Sequence, residues 1–192
     1  MRNIIFVCLL LLATRAHGQN YPVTSPWSRL TIKPAVGVLP WSLPVKALTA
    51  VTLEYPLKGN WVLGAHTMLA SAVAKNTYNI ETNYSLQFSQ KFGVGYSMTG
   101  PRKLVRLTLL AMGGARRIAF KETLDYPGLE KITTKSSTLM PDVGLLVDWS
   151  LGRKRYTFNV RTYLPFYPFE GYPVSTFQNI SIEMGVGMRL KH

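Results

Sequence analysis

Between Tyr84 and Ser97 the chain alternates residue by residue. Tyr84, Leu86, Phe88, Phe92, Val94 and Tyr96 share one parity with Gln90, and Ser85, Gln87, Ser89, Lys91, Gly93, Gly95 and Ser97 hold the other. A period of two places every apolar side chain on one face of a strand and is incompatible with a helix, whose apolar stripe recurs every 3.6 residues. A strand of this length also exceeds the five or six residues usual in soluble sheets. The fold must therefore accommodate long strands with one apolar face and one small or polar face.

The same alternation recurs elsewhere. From Gln178 to Leu190, Ile180, Ile182, Met184, Val186, Met188 and Leu190 oppose Ser181, Glu183, Gly185, Gly187 and Arg189. Leu139 to Leu151 sets Leu139, Pro141, Val143, Leu145, Val147 and Trp149 against Asp142, Gly144, Leu146, Asp148 and Ser150, and Leu104 to Arg116 alternates more loosely. Arg29 to Val38, Lys46 to Tyr55 and Tyr156 to Leu164 are in phase, and Asn60 to Val73 is read as a strand although its Ala-rich middle also suits a short helix. Eight strands follow in order.

No apolar stretch of the chain after its first eighteen residues approaches the ~20 residues a membrane-spanning helix needs; the most apolar, Leu107 to Ala115, is preceded by Arg106. The other structure that satisfies every backbone group in lipid is a closed barrel. Export is expected: Arg2, the apolar run Ile4 to Ala13 and the small residues Ala16 and Gly18 read as a secretory signal peptide, residues 1–18, followed by a single domain, residues 19–192. Cleavage there removes Arg2, Arg15 and no acid, leaving 20 bases against 9 acids. It also removes Cys8, the only cysteine, so neither a disulfide framework nor a thiolate site is available.

The joins between the strands alternate in length. Pro56 to Gly59, Thr99 to Arg102 and Gly152 to Arg155 are short; Leu39 to Val45, Ala74 to Asn83, Arg117 to Ser137 and Pro165 to Thr176 are longer. Short periplasmic turns facing long extracellular loops are the pattern of a transmembrane barrel. Aromatic residues agree: Tyr55, Trp61, Tyr96, Trp149 and Tyr156 flank the short turns with outward parity, as one rim of a girdle, and Tyr84 falls towards the other. Phe88 and Ile182 are expected on the mid-lipid face.

The second face carries Arg29, Lys33, Lys46, Glu54, His66, Lys91, Arg106, Arg116, Asp142, Asp148, Arg161, Glu183 and Arg189 among glycines. Alternation alone permits the inverse arrangement, a soluble barrel with this face outward and an apolar ligand inside. Strand length and the aromatic rim favour the membrane. In an eight-stranded barrel the interior holds only side chains, so a lumen ionic network is expected from Glu54, Lys91, Arg106, Asp142, Asp148, Arg161, Glu183 and Arg189, with no open pore.

In these features the chain resembles small outer-membrane β-barrels of the OmpA/OmpX type and, more loosely, the outer-membrane β-barrel domain proteins of Bacteroidetes. The most specific piece is Ile180 to Leu190, which looks like the closing strand that barrel-assembly machinery recognises; such strands usually finish on an aromatic residue, whereas this chain ends Lys191-His192. The resemblance implies an all-β, eight-stranded antiparallel up-and-down transmembrane β-barrel in a Gram-negative outer membrane, with outer-membrane lipids and the assembly machinery as partners.

A non-enzymatic role in envelope structure or surface interaction is expected. Some barrels of this size act on lipid through a Ser/His/acid set, but of the two mature histidines His192 is terminal and His66 has no serine in phase beside it. No metal cluster or nucleotide fingerprint is present, so no cofactor is expected. The bases Lys58, Arg102, Lys103 and Arg153 to Arg155 fall at the short turns, where anionic headgroups or water serve them better than nucleic acid. A protein or glycan partner is expected at the extracellular loops. Pro165 to Pro173 is the favoured segment: Phe166, Tyr167, Phe169 and Tyr172 exceed what a solvated loop needs, and its prolines lower the ordering cost of recognition.

Overall fold

The computed structural model of the protein describes residues 29–42, 45–72, 76–77, 80–100, 104–124, 130–152, 155–166 and 179–190. The expected leader, residues 1–18, lies outside them. Among the described residues nine strands form one sheet: β1 (Thr31–Leu39), β2 (Lys46–Pro56), β3 (Trp61–Ala72), β4 (Asn76–Thr77), β5 (Ile80–Thr99), β6 (Val105–Leu124), β7 (Ile132–Leu151), β8 (Tyr156–Pro165) and β9 (Ser181–Arg189). β4 is a two-residue rung against the start of β5, so eight strands build the wall.

Every neighbouring pair is antiparallel. The order β3-β2-β1-β9-β8-β7-β6-β5-β4 is closed into a ring by direct pairing of β3 with β5. Closure leaves the barrel wall without an edge and pairs its backbone groups between strands, as a structure surrounded by lipid requires. β1 pairs with β9 from Thr31↔Arg189 to Val38↔Ile182, which brings both ends of the wall to the short-turn rim. The Ala-rich segment that also suited a helix is a strand, held in register from Trp61↔Tyr96 to Ser71↔Leu86.

Alternation sorts the side chains as the period requires. In β2, Lys46, Leu48, Ala50, Thr52 and Glu54 point inward and are buried, while Val51 and Leu53 are exposed on the outside. In β5 the outer face shows Leu86, Phe88, Phe92, Val94 and Tyr96, and Phe92 is 62% exposed. An apolar belt that water would not tolerate at this extent is the natural surface of a protein dissolved in lipid. The aromatic residues at the short-turn rim are outward: Trp61, Tyr96, Trp149 and Tyr156 are exposed, and Trp61 meets Tyr96 edge to face at 5.7 Å. The Tyr84 side chain lies outside those described. At the rim itself Gly59 adopts φ 71°, the left-handed conformation that closes the β2–β3 turn and that a side chain would disfavour.

The strands fall into two length classes. β1, β2, β3, β8 and β9 have 9 to 12 residues, close to the ~9–11 needed to cross the hydrocarbon at a tilt of ~45°. β5, β6 and β7 have 20 each. They continue beyond the wall as a three-stranded flange: β6 and β7 pair from Val105↔Leu151 all the way to Leu124↔Ile132, whereas β7 meets β8 only over Gly144 to Leu151. This corrects the expectation that Arg117 to Ser137 is a loop: Arg117–Leu124 and Ile132–Ser137 are strand. Both faces of the flange meet solvent, so nothing there selects for alternation, and the period-two signal disappears where the strand does not.

Candidate functional site

Two places have the character of a site: the barrel interior and the flange. The interior is a packed set of ions and hydroxyls. Residues of inward parity converge because the lumen of eight strands is only wide enough for side chains, and Arg116, Arg161, Tyr163, Lys33 and Lys91 are all fully buried.

Three clusters stack along it. Towards the long-loop end, Asp142 is the hub. Its Oδ2 accepts from Lys91 Nζ at 3.0 Å, Arg116 Nε at 3.0 Å and Ser89 Oγ at 2.9 Å, and its Oδ1 from the Tyr163 hydroxyl at 2.7 Å. Lys91 Nζ also stands 3.7 Å from the centre of the Tyr163 ring. Tyr163 fits there because Gly144 leaves the space: a Cβ on Gly144 would lie 2.7 Å from the Tyr163 hydroxyl.

At mid-height, Arg161 Nη1 donates to the Lys33 carbonyl at 3.1 Å and to Thr52 Oγ1, and Arg161 Nε lies 3.4 Å from Glu183. His66 bridges Thr52 through Nδ1 at 2.9 Å and Glu183 through Nε2 at 3.4 Å. Towards the short-turn end, Lys33 Nζ donates to Glu54 at 2.5 Å, Asp148 at 3.2 Å and Ser150 at 3.3 Å, and Arg106 takes the other oxygen of Glu54 at 2.9 Å. Asp148 Oδ1 accepts from Ser150 at 2.7 Å and Asn159 at 3.4 Å.

The order Thr52, His66, Glu183 is that of a hydroxyl, a base and an acid, which invites comparison with a hydrolase. Two facts separate it from one. All three side chains are sealed from solvent, and the Thr52 hydroxyl already receives Arg161. A nucleophile needs an open side from which a carbonyl or ester can approach, and Thr52 has its in the packed lumen. Among the described residues no group of three or more His, Cys, Asp or Glu has the arrangement of a metal site.

Of the residues expected in the lumen, Glu54, Lys91, Arg106, Asp142, Asp148, Arg161 and Glu183 are joined in these clusters. Arg189 is not; it stands at the short-turn mouth with no carboxylate partner among the described residues. Lys33 and Arg116 carry more of the network than parity suggested. Tyr163 was not expected there at all, although it is in phase with Asn159 and Arg161 on β8. Of the loop aromatics, Phe166 is 55% exposed at the end of β8, its N–H bonded to the Val143 carbonyl at 2.7 Å; Tyr167, Phe169 and Tyr172 lie outside the described residues.

No family profile and no curated protein matches the chain. Solved structures do. Neisserial surface protein A (NspA) superposes with a TM-score of 0.51 at 15% identity, over 85% of this chain and 96% of that one. Ail, the attachment invasion locus protein of Yersinia pestis, gives 0.49 at 9% identity, over 83% and 95%. The fold is that of a small eight-stranded outer-membrane β-barrel. At such low identity the likeness reaches the wall, the strand order and the up-and-down path, and does not extend to the ionic lumen.

The flange differs from the lumen in every respect. Along Ile132–Met140 β7 has a ladder partner only on its β6 side among the described residues. Its other edge presents backbone N–H and C=O groups, with Thr133, Thr134, Lys135, Ser137 and Thr138 exposed. Threonine-rich and free of proline until Pro141, this stretch has the composition of a strand ready to pair.

Proposed function

We propose that the chain is an integral outer-membrane barrel, exported by a cleavable leader, whose sealed lumen serves only stability and whose flange and long loops make contacts at the cell surface. The observation that carries this reading is the division of the molecule. The wall spends its inward side chains on a closed ionic core, and three strands rise about ten residues past what a ~45° crossing requires, ending in an exposed β7 edge. A soluble barrel holding an apolar ligand would need an apolar interior, and here that space is filled by Lys33, Glu54, His66, Lys91, Arg116, Asp142 and Arg161.

Recognition at the flange would use strand addition, in which an extended segment of a partner supplies the missing rung and alternate side chains set specificity. Phe166, Tyr167, Phe169 and Tyr172, at the neighbouring β8–β9 connection, are assigned the role of an aromatic contact surface for a protein or glycan. The role is one of binding, without an enzymatic step. The lipids of the outer membrane contact the apolar belt, and barrel-assembly machinery handles the closing strand β9.

A labelling experiment tests the placement, because the mature chain has no cysteine of its own. Lys135→Cys on the flange and Leu57→Cys at a short turn are produced separately, and intact cells are treated with a membrane-impermeant maleimide. Labelling of Lys135→Cys on intact cells, with Leu57→Cys labelled only after lysis, supports the reading. The opposite pattern, or recovery of both variants in a soluble fraction, overturns it.

A further inference from the structure

The short-turn mouth of the barrel holds a cavity of about 310 Å³ lined by Thr31, Thr99, Arg106, Ser150, Gly152, Arg155, Thr157 and Arg189. This is room for on the order of ten water molecules. Its lining contains three guanidinium groups, four hydroxyl side chains and no carboxylate. The backbone fixes two of the arginines side by side, since the Arg189 N–H donates to the Arg155 carbonyl at 3.0 Å.

The nearest acids do not neutralise it. Glu54 has both oxygens engaged, one by Lys33 at 2.5 Å and one by Arg106 at 2.9 Å. Asp148 sits deeper, with one oxygen held by Ser150 and Asn159 and the other by Lys33. Lys33 and Arg106 balance Glu54 and Asp148 in charge, which leaves Arg155 and Arg189 as two positive charges without a carboxylate partner among the described residues. A guanidinium presents its donors in a planar fork that suits two oxygens of a phosphate at once. A cleft lined by one sign of charge within low-dielectric walls concentrates the opposite ion.

We propose that this vestibule is a binding site for a phosphate-class dianion, held by Arg155 and Arg189 with hydroxyl donors from Thr31 and Thr99. The chemistry is that of a phosphomonoester, which can come from a lipid headgroup at the inner leaflet or from a soluble phosphate ester. The placement at the short-turn rim rests on the barrel reading above, but the site exists in any folded form of the chain.

The test uses the full chain folded in octyl glucoside, a detergent without phosphate, and titrates inorganic phosphate by calorimetry. Saturable binding is expected, weakened at least ten-fold in Arg155→Gln/Arg189→Gln and unchanged in Lys121→Gln/Lys135→Gln, which removes the same charge from the flange. Absence of saturable binding, equal weakening in both double variants, or no change in either overturns the proposal. Arg155→Gln alone, at a turn position outside the ladders, keeps the test valid if the double variant does not fold. Repeating the titration in bilayers containing phosphatidic acid identifies the source: phosphate binding abolished by the lipid assigns the vestibule to a headgroup, and binding that persists assigns it to a soluble ester. Either upholds the site. Labelling that places the short turns outside the cell would overturn the surface reading and leave this binding intact.

Discussion

The same strands pass through two environments, and their residues change character between them. β7 below Gly144 alternates Leu145, Val147 and Trp149 outward with Leu146, Asp148 and Ser150 buried inside. Above it, Ile132 to Thr138 runs as threonines, serines and a lysine, nearly all exposed. Below, each side chain is selected by lipid or by a crowded lumen. Above, water accepts both faces, and only backbone pairing with β6 holds the strand straight. Stability is therefore concentrated in the barrel, and the flange is free to vary or to bind.

The largest effect is expected at Asp142, which accepts from Lys91, Arg116, Ser89 and Tyr163. Asp142→Leu leaves two buried cations without their counterion, a change that costs about 3–5 kcal/mol when one partner of a buried pair is removed. Urea unfolding of the barrel in detergent should show this as a large drop in midpoint. A loss under about 1 kcal/mol would mean that water reaches the lumen charges, and the sealed-core half of the comparison would fall.

Next comes the lipid face. Phe92 pairs with Ala65 near the middle of the β3–β5 ladder, whereas Phe88 pairs with Leu69 near its long-loop end and Ile182 pairs with Val38 at the last rung of β1–β9. Periodicity alone offered Phe88 and Ile182 as mid-membrane positions; register moves that role to Phe92. Phe92→Arg should cost about 2–4 kcal/mol and Phe88→Arg less, because the penalty falls towards the interface. Equal costs, read from unfolding into lipid-free denaturant, would show that the belt is not centred where the ladder is.

A smaller effect is expected from Gly144→Val, which sets a side chain against the Tyr163 ring and draws its hydroxyl away from Asp142. Overpacking of this kind typically costs about 1–3 kcal/mol. The shift in the near-ultraviolet signal of tyrosine should accompany the loss of stability. If Tyr163→Phe costs as much as Gly144→Val, the hydrogen bond rather than the packing is the dominant contribution.

The wall was legible in the sequence because lipid and lumen impose opposite demands on successive residues, as at Leu86 to Tyr96. The closing strand, the short turns and their aromatic rim could be read for the same reason. Pair partners could not: a two-residue slip in register would keep Asp142 in the lumen but set it against different bases, and register is set by all eight strands together. Tyr163 was hidden because an aromatic residue on a barrel strand normally reads as lipid-facing, and only the missing side chain of Gly144 on the adjacent strand makes room for it inside. The flange was hidden for the opposite reason. Thr133 to Thr138 has strand propensity but no face to select, so it looks like a polar loop until its pairing with Ile118 to Thr123 is seen.

The smallest effect on stability, and the sharpest on function, should follow removal of the flange tip. Ile118 and Thr138 are ladder partners on β6 and β7, so joining them through an Asn-Gly turn replaces residues 119–137 with a two-residue hairpin of the type such strands favour. The deleted residues include the exposed Thr133, Thr134, Lys135 and Ser137, and none of the described ones is a member of the lumen clusters around Asp142, Glu183 and Glu54. Lengthening or shortening a surface connection changes loop-closure entropy by only about 0.6 kcal/mol per doubling. The shortened chain should therefore keep its heat-dependent shift on unboiled gels and its urea midpoint to within about 1 kcal/mol. Binding of any surface partner that adds a strand to β7 should disappear with it, because the edge that would receive that strand has been removed while the wall is intact. If the midpoint falls by as much as in Asp142→Leu, the flange is part of the barrel's stability and the division between a structural wall and a recognition edge does not hold. If the wall is unchanged and a strand-adding partner still binds, the contact lies with the β8–β9 aromatics, and Phe166 becomes the residue to replace.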